Sequence, residues 1–404
     1  MNSKKDHRQL GRELDLFVFS ELVGSGLPLF TPKGTILRDI LIGYSEQLQK
    51  EAGFQKVWIP HLAKEELYKN SGHWDKFGNE LFLVKSQESH DNFILKPMNC
   101  PHHIQIYASS SRSYRDLPIR YYETTTHYRD EKSGELGGLS RVRSATVDDA
   151  HIFCTMEQVK QELTLIIGMV RKMYKALNMQ FHMRLSFRDP KDKSKYLGTD
   201  TQWELAQKII KEVAEKSGHL YNVAEGEAAF YAPKIDIMIA DSQGKEWQVA
   251  TEQLDFVQPT RFNISFTDAK GTKKTPIMIH KALLGSIERF LSIYIEHTQG
   301  AFPLWLAPVQ VAVLPVSDKH NLLALKLQQQ IEGANLRVEL YADNKTVGNK
   351  IREATLQKIP YMIIIGDKES QDKVSARTRE GKDLGQIDFK QFIESLRAKI
   401  EKFE

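Results

Sequence analysis

The densest run of reactive side chains is Arg141-Val-Arg-Ser-Ala-Thr-Val-Asp-Asp-Ala-His-Ile-Phe-Cys154. Read as a strand, its side chains alternate, so Arg141, Arg143, Ala145, Val147, Asp149 and His151 share one face and Cys154 takes the other. The stretch before it adds His127, Arg129 and Glu131 with the same parity. Cations, carboxylates and an imidazole aimed into one space suit an anionic substrate held beside a small zwitterion. A solvated strand face has a similar composition, and on this segment alone that plainer reading stays open. Histidine and cysteine spacing raises the question of a metal. Cys100-Pro-His102-His103 is compact but lacks a fourth partner, and His151-x-x-Cys154 fails strand parity. A set drawn from three segments, Cys100, His151 and His280, cannot be argued from spacing.

Positioning such side chains requires a scaffold, and the pattern outlines one. Ile36, Leu37, Ile40, Leu41, Tyr44 and Leu48 recur at helical spacing, predicting a helix over 35–52 capped by Thr35 and ended by Gly53. A short strand, 56–59, stops at Pro60. The β-rich stretches 119–131 and 141–154 flank a Gly-rich segment, predicting an antiparallel hairpin with a long, mobile loop. Helices are expected over 156–178, 201–217 and 279–298, and strands over 235–239 and 247–256. Past Phe302-Pro-Leu-Trp-Leu-Ala-Pro308, strands and helices alternate to the end, the pattern of an α/β module. The reading is therefore an α+β domain over 1–305, an antiparallel sheet flanked by helices, followed by a smaller α/β domain over 306–404.

Composition narrows the class without choosing a function. The 404 residues are 41% hydrophobic and 27% charged, which excludes a disordered, collagen-like or disulfide-framed chain. A net charge of +4 permits a nucleic-acid partner but demonstrates none. Two cysteines point to a reducing compartment. No run reaches the length of a membrane span, and residues 1–15 lack an apolar leader core and carry Asp6, Glu13 and Asp15. A cytoplasmic protein without membrane contact is the expectation.

Longer motifs carry a resemblance. His127-Tyr-Arg-Asp-Glu131, the hairpin loop, Arg141 and Gly285-Ser-Ile-Glu-Arg289 resemble motifs 2 and 3 of class II aminoacyl-tRNA synthetases, with Pro60 where motif 1 ends. Lys96-Pro-Met-Asn-Cys-Pro101, Asp148-Asp-Ala-His-Ile-Phe-Cys154, Ala229-Phe-Tyr-Ala-Pro-Lys-Ile235, Gln253-Leu-Asp-Phe256 and Pro276-Ile-Met-Ile-His280 are similar to the threonyl-tRNA synthetase family, in register from about residue 5 to the C-terminus. The resemblance implies an ATP-dependent threonine–tRNA ligase with one zinc ion per chain on Cys100, His151 and His280 and Mg²⁺ with ATP. Three ligands leave a position open, which in that family takes the amino and hydroxyl groups of threonine. Asp149 matches the carboxylate that holds the same groups, and Tyr231 and Gln253 line the threonine pocket. Arg129 matches the α-phosphate arginine, Arg141 and Arg289 those at the γ-phosphate, and Glu131 the residue that reads adenine. His73 and Lys234 match residues of the catalytic machinery, His73 for transfer to tRNA. Asn344, Glu369 and Arg377 match anticodon contacts in a module holding 16 Lys/Arg and 14 Asp/Glu, so placed contacts rather than bulk charge would bind tRNA(Thr). A homodimer with the 35–60 region at its interface is also implied.

Two positions depart from the family. Ala145 replaces an aromatic that stacks on adenine, a change worth roughly 1–3 kcal/mol if base stacking elsewhere is a guide, and Val147 replaces a glutamine near the threonine carboxylate. The sequence offers no counterpart to the family's editing domain, so serine, which keeps both groups that zinc reads, is expected to be activated and not cleared. Another class of function is a catalytically weakened paralogue that binds tRNA or a tRNA-like mRNA as a regulator. The intact Arg129, Arg289, Cys100, His151 and His280 speak against it. A ligase charging a carrier other than tRNA is disfavoured by the anticodon-like module.

Overall fold

The structure is a computed structural model describing residues 4–241 and 244–403, so the outermost residues of the two expected domains lie outside it. It divides into two compact units, one of residues 21–27 and 42–291, the other of residues 1–20, 28–41 and 292–404. In this division residues 292–305 and two N-terminal segments group with the C-terminal sheet.

The larger unit is built on an eight-stranded sheet. Its spatial order is Tyr221–Glu225, His182–Phe187, Lys234–Ala240, Glu246–Asp255, Ile277–Ser286, Ser144–Cys154, Ile119–Tyr128 and Gln55–Lys56. The inner pairings are antiparallel, as expected, while the two outermost are parallel. The back face is apolar because alternate residues face it: Ile152, Leu254 and Ile279 are fully buried. Helix Val159–Ala176 covers that face with Leu163, Ile166, Ile167, Val170, Met173 and Tyr174, a stripe at 3.6-residue spacing. Beside it packs helix Asp200–Ser217, started by a Thr199/Gln202 capping box and ended at Gly218, whose φ of +73° suits glycine. Helix Cys100–Ala108 lies on the other face, where Ile104 and Tyr107 cluster with Ile119, Tyr121 and Phe153.

Three expectations change. The helix expected over 279–298 is strand Ile277–Ser286 followed by helix Ile287–Thr298. A central strand buried on both faces reads as a continuous apolar run, which periodicity cannot separate from a helix. The helix expected from Thr35 begins at Pro32, with Thr31 Oγ1 accepting from the Gly34 N–H at 3.3 Å; Thr31 is the cap and Pro32 sits in the first turn. The strand expected over 56–59 is reduced to Gln55–Lys56, extended by the Val57 N–H bonding to the Tyr122 carbonyl at 3.0 Å.

In the second unit, the strands Val338–Leu340, Val311–Pro315 and Tyr361–Ile365 are parallel, and Lys373–Thr378 and Asp383–Asp388 continue the sheet antiparallel. Helices Asn321–Gly333, Val347–Leu356 and Phe389–Glu401 accompany it, so the strand–helix alternation read from the sequence is present. No helix among the described residues is long and apolar enough to cross a membrane.

Candidate active site

Register turns the strands of the larger unit into rows of side chains. One row runs Ser186, Lys234, Gln253, His280, His151, Tyr121, and the next runs Arg184, Asp236, Thr251, Ala282, Asp149, Glu123. Four strands thus bring the residues singled out at 149, 151, 234, 253 and 280 onto one face, opposite helix Val159–Ala176. Cys100 joins them from the first turn of helix Cys100–Ala108. The ligand atoms of Cys100, His151 and His280 lie within 4.8 Å of one another, and all three residues are buried.

The surroundings suit a metal. His280 Nε2 pairs with Asp255 Oδ2 at 2.8 Å, and His151 Nδ1 with His103 Nδ1 at 2.8 Å, so each imidazole is oriented through one nitrogen and keeps the other for a ligand. Burial holds His151 well below the usual histidine range, leaving the neutral ring that coordination needs. Burial also raises the Cys100 thiol, with Asp149 and Asp255 adding to the effect, an arrangement that a cation would reverse. The donor set, one thiolate and two imidazoles in a compact group, fits zinc.

Around this group sit the other expected residues. Asp149 Oδ2 accepts from Asn99 Nδ2 at 3.0 Å, and its Oδ1 lies 3.7 Å from His151 Nε2. Burial raises the Asp149 carboxyl to about 6. Tyr231 donates to Gln253 Oε1 at 2.7 Å. His73 bonds Ser71 Oγ through Nδ1 at 2.7 Å and places Nε2 3.8 Å from Cys100 Sγ, and burial beside His280, Arg129 and Arg261 lowers it to about 3. Gly72, at φ +81°, turns the chain between two short helices and so delivers His73. Lys234 pairs at 3.1 Å with buried Asp236, which also receives Arg184, Ser186 and Thr251.

Beside the metal group lies a cleft of about 180 Å³ lined by His127, Arg129, Glu131, Arg141, Ala145, Val147, Ser286 and Arg289 among others. The strands of the hairpin are Ile119–Tyr128 and Ser144–Cys154, so Arg129, Glu131, Arg141 and Arg143 lie beyond their ends rather than on the strand face expected for them. The chain carries them into the cleft nonetheless: the Arg129 N–H bonds the Arg143 carbonyl at 2.9 Å, prolonging the ladder by one step. Arg129 stacks over Phe77 at 4.6 Å, Arg141 bridges Glu131 and Glu135 at 2.7 and 2.6 Å, and Arg289 Nε donates to the Ser140 carbonyl at 2.9 Å. The helix bearing Arg289 is aimed by a β-bulge. Asp148 collects the N–H groups of Leu283, Leu284 and Gly285 at 3.0–3.1 Å and the Ser45 hydroxyl at 2.7 Å.

In the second unit Asn344 is exposed, Glu369 is tied by its two oxygens to the Gly366 N–H and the Ser375 hydroxyl, and Arg377 keeps a buried Nε without a partner among the described residues. Among the described residues, no hydrogen bond joins these three to one another. The sequence reading missed Asn99, His103, Asp148 and Asp255 as supports. Asp255 shares strand parity with Gln253, and His103 lies one helical turn beyond Cys100, so both signals were present.

Residues 82–298 match the tRNA synthetase class II core domain (G, H, P, S and T), and residues 310–399 the anticodon binding domain. Curated relatives named threonine–tRNA ligase include one from Cytophaga hutchinsonii, 45% identical over 99% of this chain, and one from Gloeobacter violaceus, 46% identical over 99%. The chain spans 62% and 65% of those relatives' own lengths. Among solved structures it is similar to the RNA binding domain of threonyl-tRNA synthetase from Cryptosporidium parvum Iowa II, at TM-score 0.92 and 34% identity over 98% of both chains. A putative threonyl-tRNA synthetase from Aeropyrum pernix matches at TM-score 0.86 and 30% identity, over 99% of this chain and 96% of that one.

Proposed function

The chain belongs to the class II aminoacyl-tRNA synthetases, in the threonine–tRNA ligase family, and from that premise we propose that it activates threonine with ATP and transfers it to the 3′ end of tRNA(Thr). The observation that carries the reading is the adjacency of two sites in one unit: a Cys–His–His group beside Asp149, and a cleft walled by Arg129, Arg141 and Arg289. The first suits a small amino alcohol and the second a polyphosphate.

Cys100, His151 and His280 would hold one zinc ion, which when bound supplies an open position for an amine and a hydroxyl. Asp149 faces the same space and holds the amino and hydroxyl groups, with Tyr231 and Gln253 closing the side. Arg129 takes the α-phosphate, where charge builds as the carboxylate attacks, and fixed guanidinium groups stabilise that charge without reorganising. Arg141 and Arg289 take the distal phosphates of an ATP that carries Mg²⁺, and Glu131 the adenine edge. For Arg141 this means exchanging Glu135 for phosphate. His73 and Lys234 serve the transfer step, His73 as a neutral ring at the edge of the metal group.

Specificity follows from the donor set. Valine has the shape of threonine without the hydroxyl, and a site built to bind a hydroxyl rejects such an analogue by about 10⁴–10⁵. Serine lacks one methyl, worth only about 1–3 kcal/mol, so serine is activated as well. Asn344, Glu369 and Arg377 read the anticodon; as functional regions, distinct from the packing units, catalysis is assigned to 1–305 and anticodon binding to 306–404. The protein works as a cytoplasmic homodimer joined through the 35–60 region. Charging of tRNA(Thr) transcript with labelled threonine tests the reading. Threonyl-tRNA formation that fails on Arg129→Ala agrees with it, and nucleic-acid binding without charging contradicts it.

A further inference from the structure

The cleft contains one polar atom whose purpose the scheme above leaves open. His127 lines it, is buried, and its Nε2 has no hydrogen-bond partner among the described residues. Its nearest carboxylate oxygen is Asp149 Oδ2 at 3.9 Å, beyond hydrogen-bond range, and that oxygen already accepts from Asn99 Nδ2. Buried polar atoms in folded proteins are almost always paired, so an orphan on the wall of a cleft points to a partner that arrives with the ligand.

Position gives that partner's chemistry. His127 stands directly opposite Ala145 in the antiparallel register, with Val147 one step along the same face. Opposed Cβ atoms in such a pair are about 4.5–5.5 Å apart, and side chains of diagonal neighbours are within reach of a ring. Two small side chains therefore leave the imidazole projecting into the cleft between Asp149 on one side and Arg129 on the other. Four arginines in the same wall make the ligand at this point anionic. An imidazole N–H satisfies such an oxygen, whereas a bare ring nitrogen would face it lone pair to lone pair.

We propose that His127 is a substrate-contacting residue that donates from Nε2 to an oxyanion at the junction of the acyl and phosphoryl groups, in the space left by Ala145 and Val147. The inference rests on the synthetase reading and adds a specificity contact to it. It makes the small residues at 145 and 147 part of a working arrangement in which the opposite strand supplies the contact.

The test is calorimetric titration of the zinc-loaded full chain with a non-hydrolysable threonyl-sulfamoyl-adenosine, and with adenosine alone. It compares wild type, His127→Leu and His127→Gln, each checked for an intact cooperative melt. The expected result is a roughly 10- to 100-fold loss of adenylate-mimic affinity for His127→Leu, the scale of one charge-assisted hydrogen bond. His127→Gln, which keeps a donor, recovers part of that loss, and adenosine binding changes little in either variant. Equal affinity in wild type and His127→Leu overturns the inference while leaving the synthetase reading intact, and so does an equal loss in both variants. A wild-type protein that fails to bind the mimic overturns the reading itself, and the inference with it.

Discussion

Lys96 shows how strongly single residues in this unit depend on what surrounds them. Its ammonium is fully buried, donates to Thr125 Oγ1 at 2.7 Å, and is pushed by burial from 10.5 down to about 8 despite the carboxylates of Glu123 and Asp149. His61, His102, His103 and His127 are the other titratable groups under its influence. Between pH of about 8 and 10.5 the unfolded chain holds a proton that the folded chain has released, so this lysine makes stability rise with pH across that window. Below about 8 both states are protonated and its penalty is fully present. Urea midpoints from pH 7 to 10 should rise less steeply for Lys96→Met than for wild type; parallel profiles would contradict the assignment. The metal group makes a second prediction at this scale. Asp255 orients His280 at 2.8 Å, and loss of such an outer-shell carboxylate typically costs 10–100-fold in metal affinity. Asp255→Asn should therefore lose zinc to a chelator at roughly 10- to 100-fold lower chelator concentration, with the three ligands untouched.

Among the elements, strand Ile277–Ser286 and its bulge matter most, since one end carries His280 and the other launches the helix of Arg289. Gly285 sits at φ +67°, and a Cβ there would lie 2.5 Å from the Val249 carbonyl oxygen. Gly285→Ala combines backbone strain with a backbone clash and should destabilise by about 1–3 kcal/mol. Asp148→Asn keeps the shape but loses charge and one acceptor for three N–H groups, and should cost about 2–3 kcal/mol. Chemical denaturation measures both, and a loss under 0.5 kcal/mol, the size of an ordinary surface change, would contradict the staple. This element was also the least legible in the sequence. Its apolar run, buried on both faces, carries no periodicity to separate strand from helix. Strand parity worked from 145 to 151 because those residues stay in one regular ladder, and it failed at 141 and 143 because they leave it.

On the scale of the whole molecule, the two-unit plan was visible as a change from strand clusters to strand–helix alternation, but the packing of residues just before 306 was not. Leu304 is buried in the core of the C-terminal unit, and Arg337 donates to the carbonyls of Leu304, Trp305 and Ala307. Proline and glycine near 303–308 mark a turn, while the packing that crosses it is non-local and leaves no trace in composition. A fragment over 300–404 should thus be more stable than one over 306–404 by roughly 2–4 kcal/mol, the usual cost of removing one large core side chain; equal urea midpoints would contradict a contribution of Leu304 to that core. The Cys100–His151–His280 group, the cleft and their supports all lie within the other unit, so amino-acid activation is expected to depend on that unit's geometry. The most direct test is ATP–pyrophosphate exchange on protein assayed for zinc, with threonine, serine and valine compared. The account predicts exchange with threonine, weaker exchange with serine and none with valine. No exchange from fully zinc-loaded protein would contradict it and leave a tRNA- or mRNA-binding regulator as the better description.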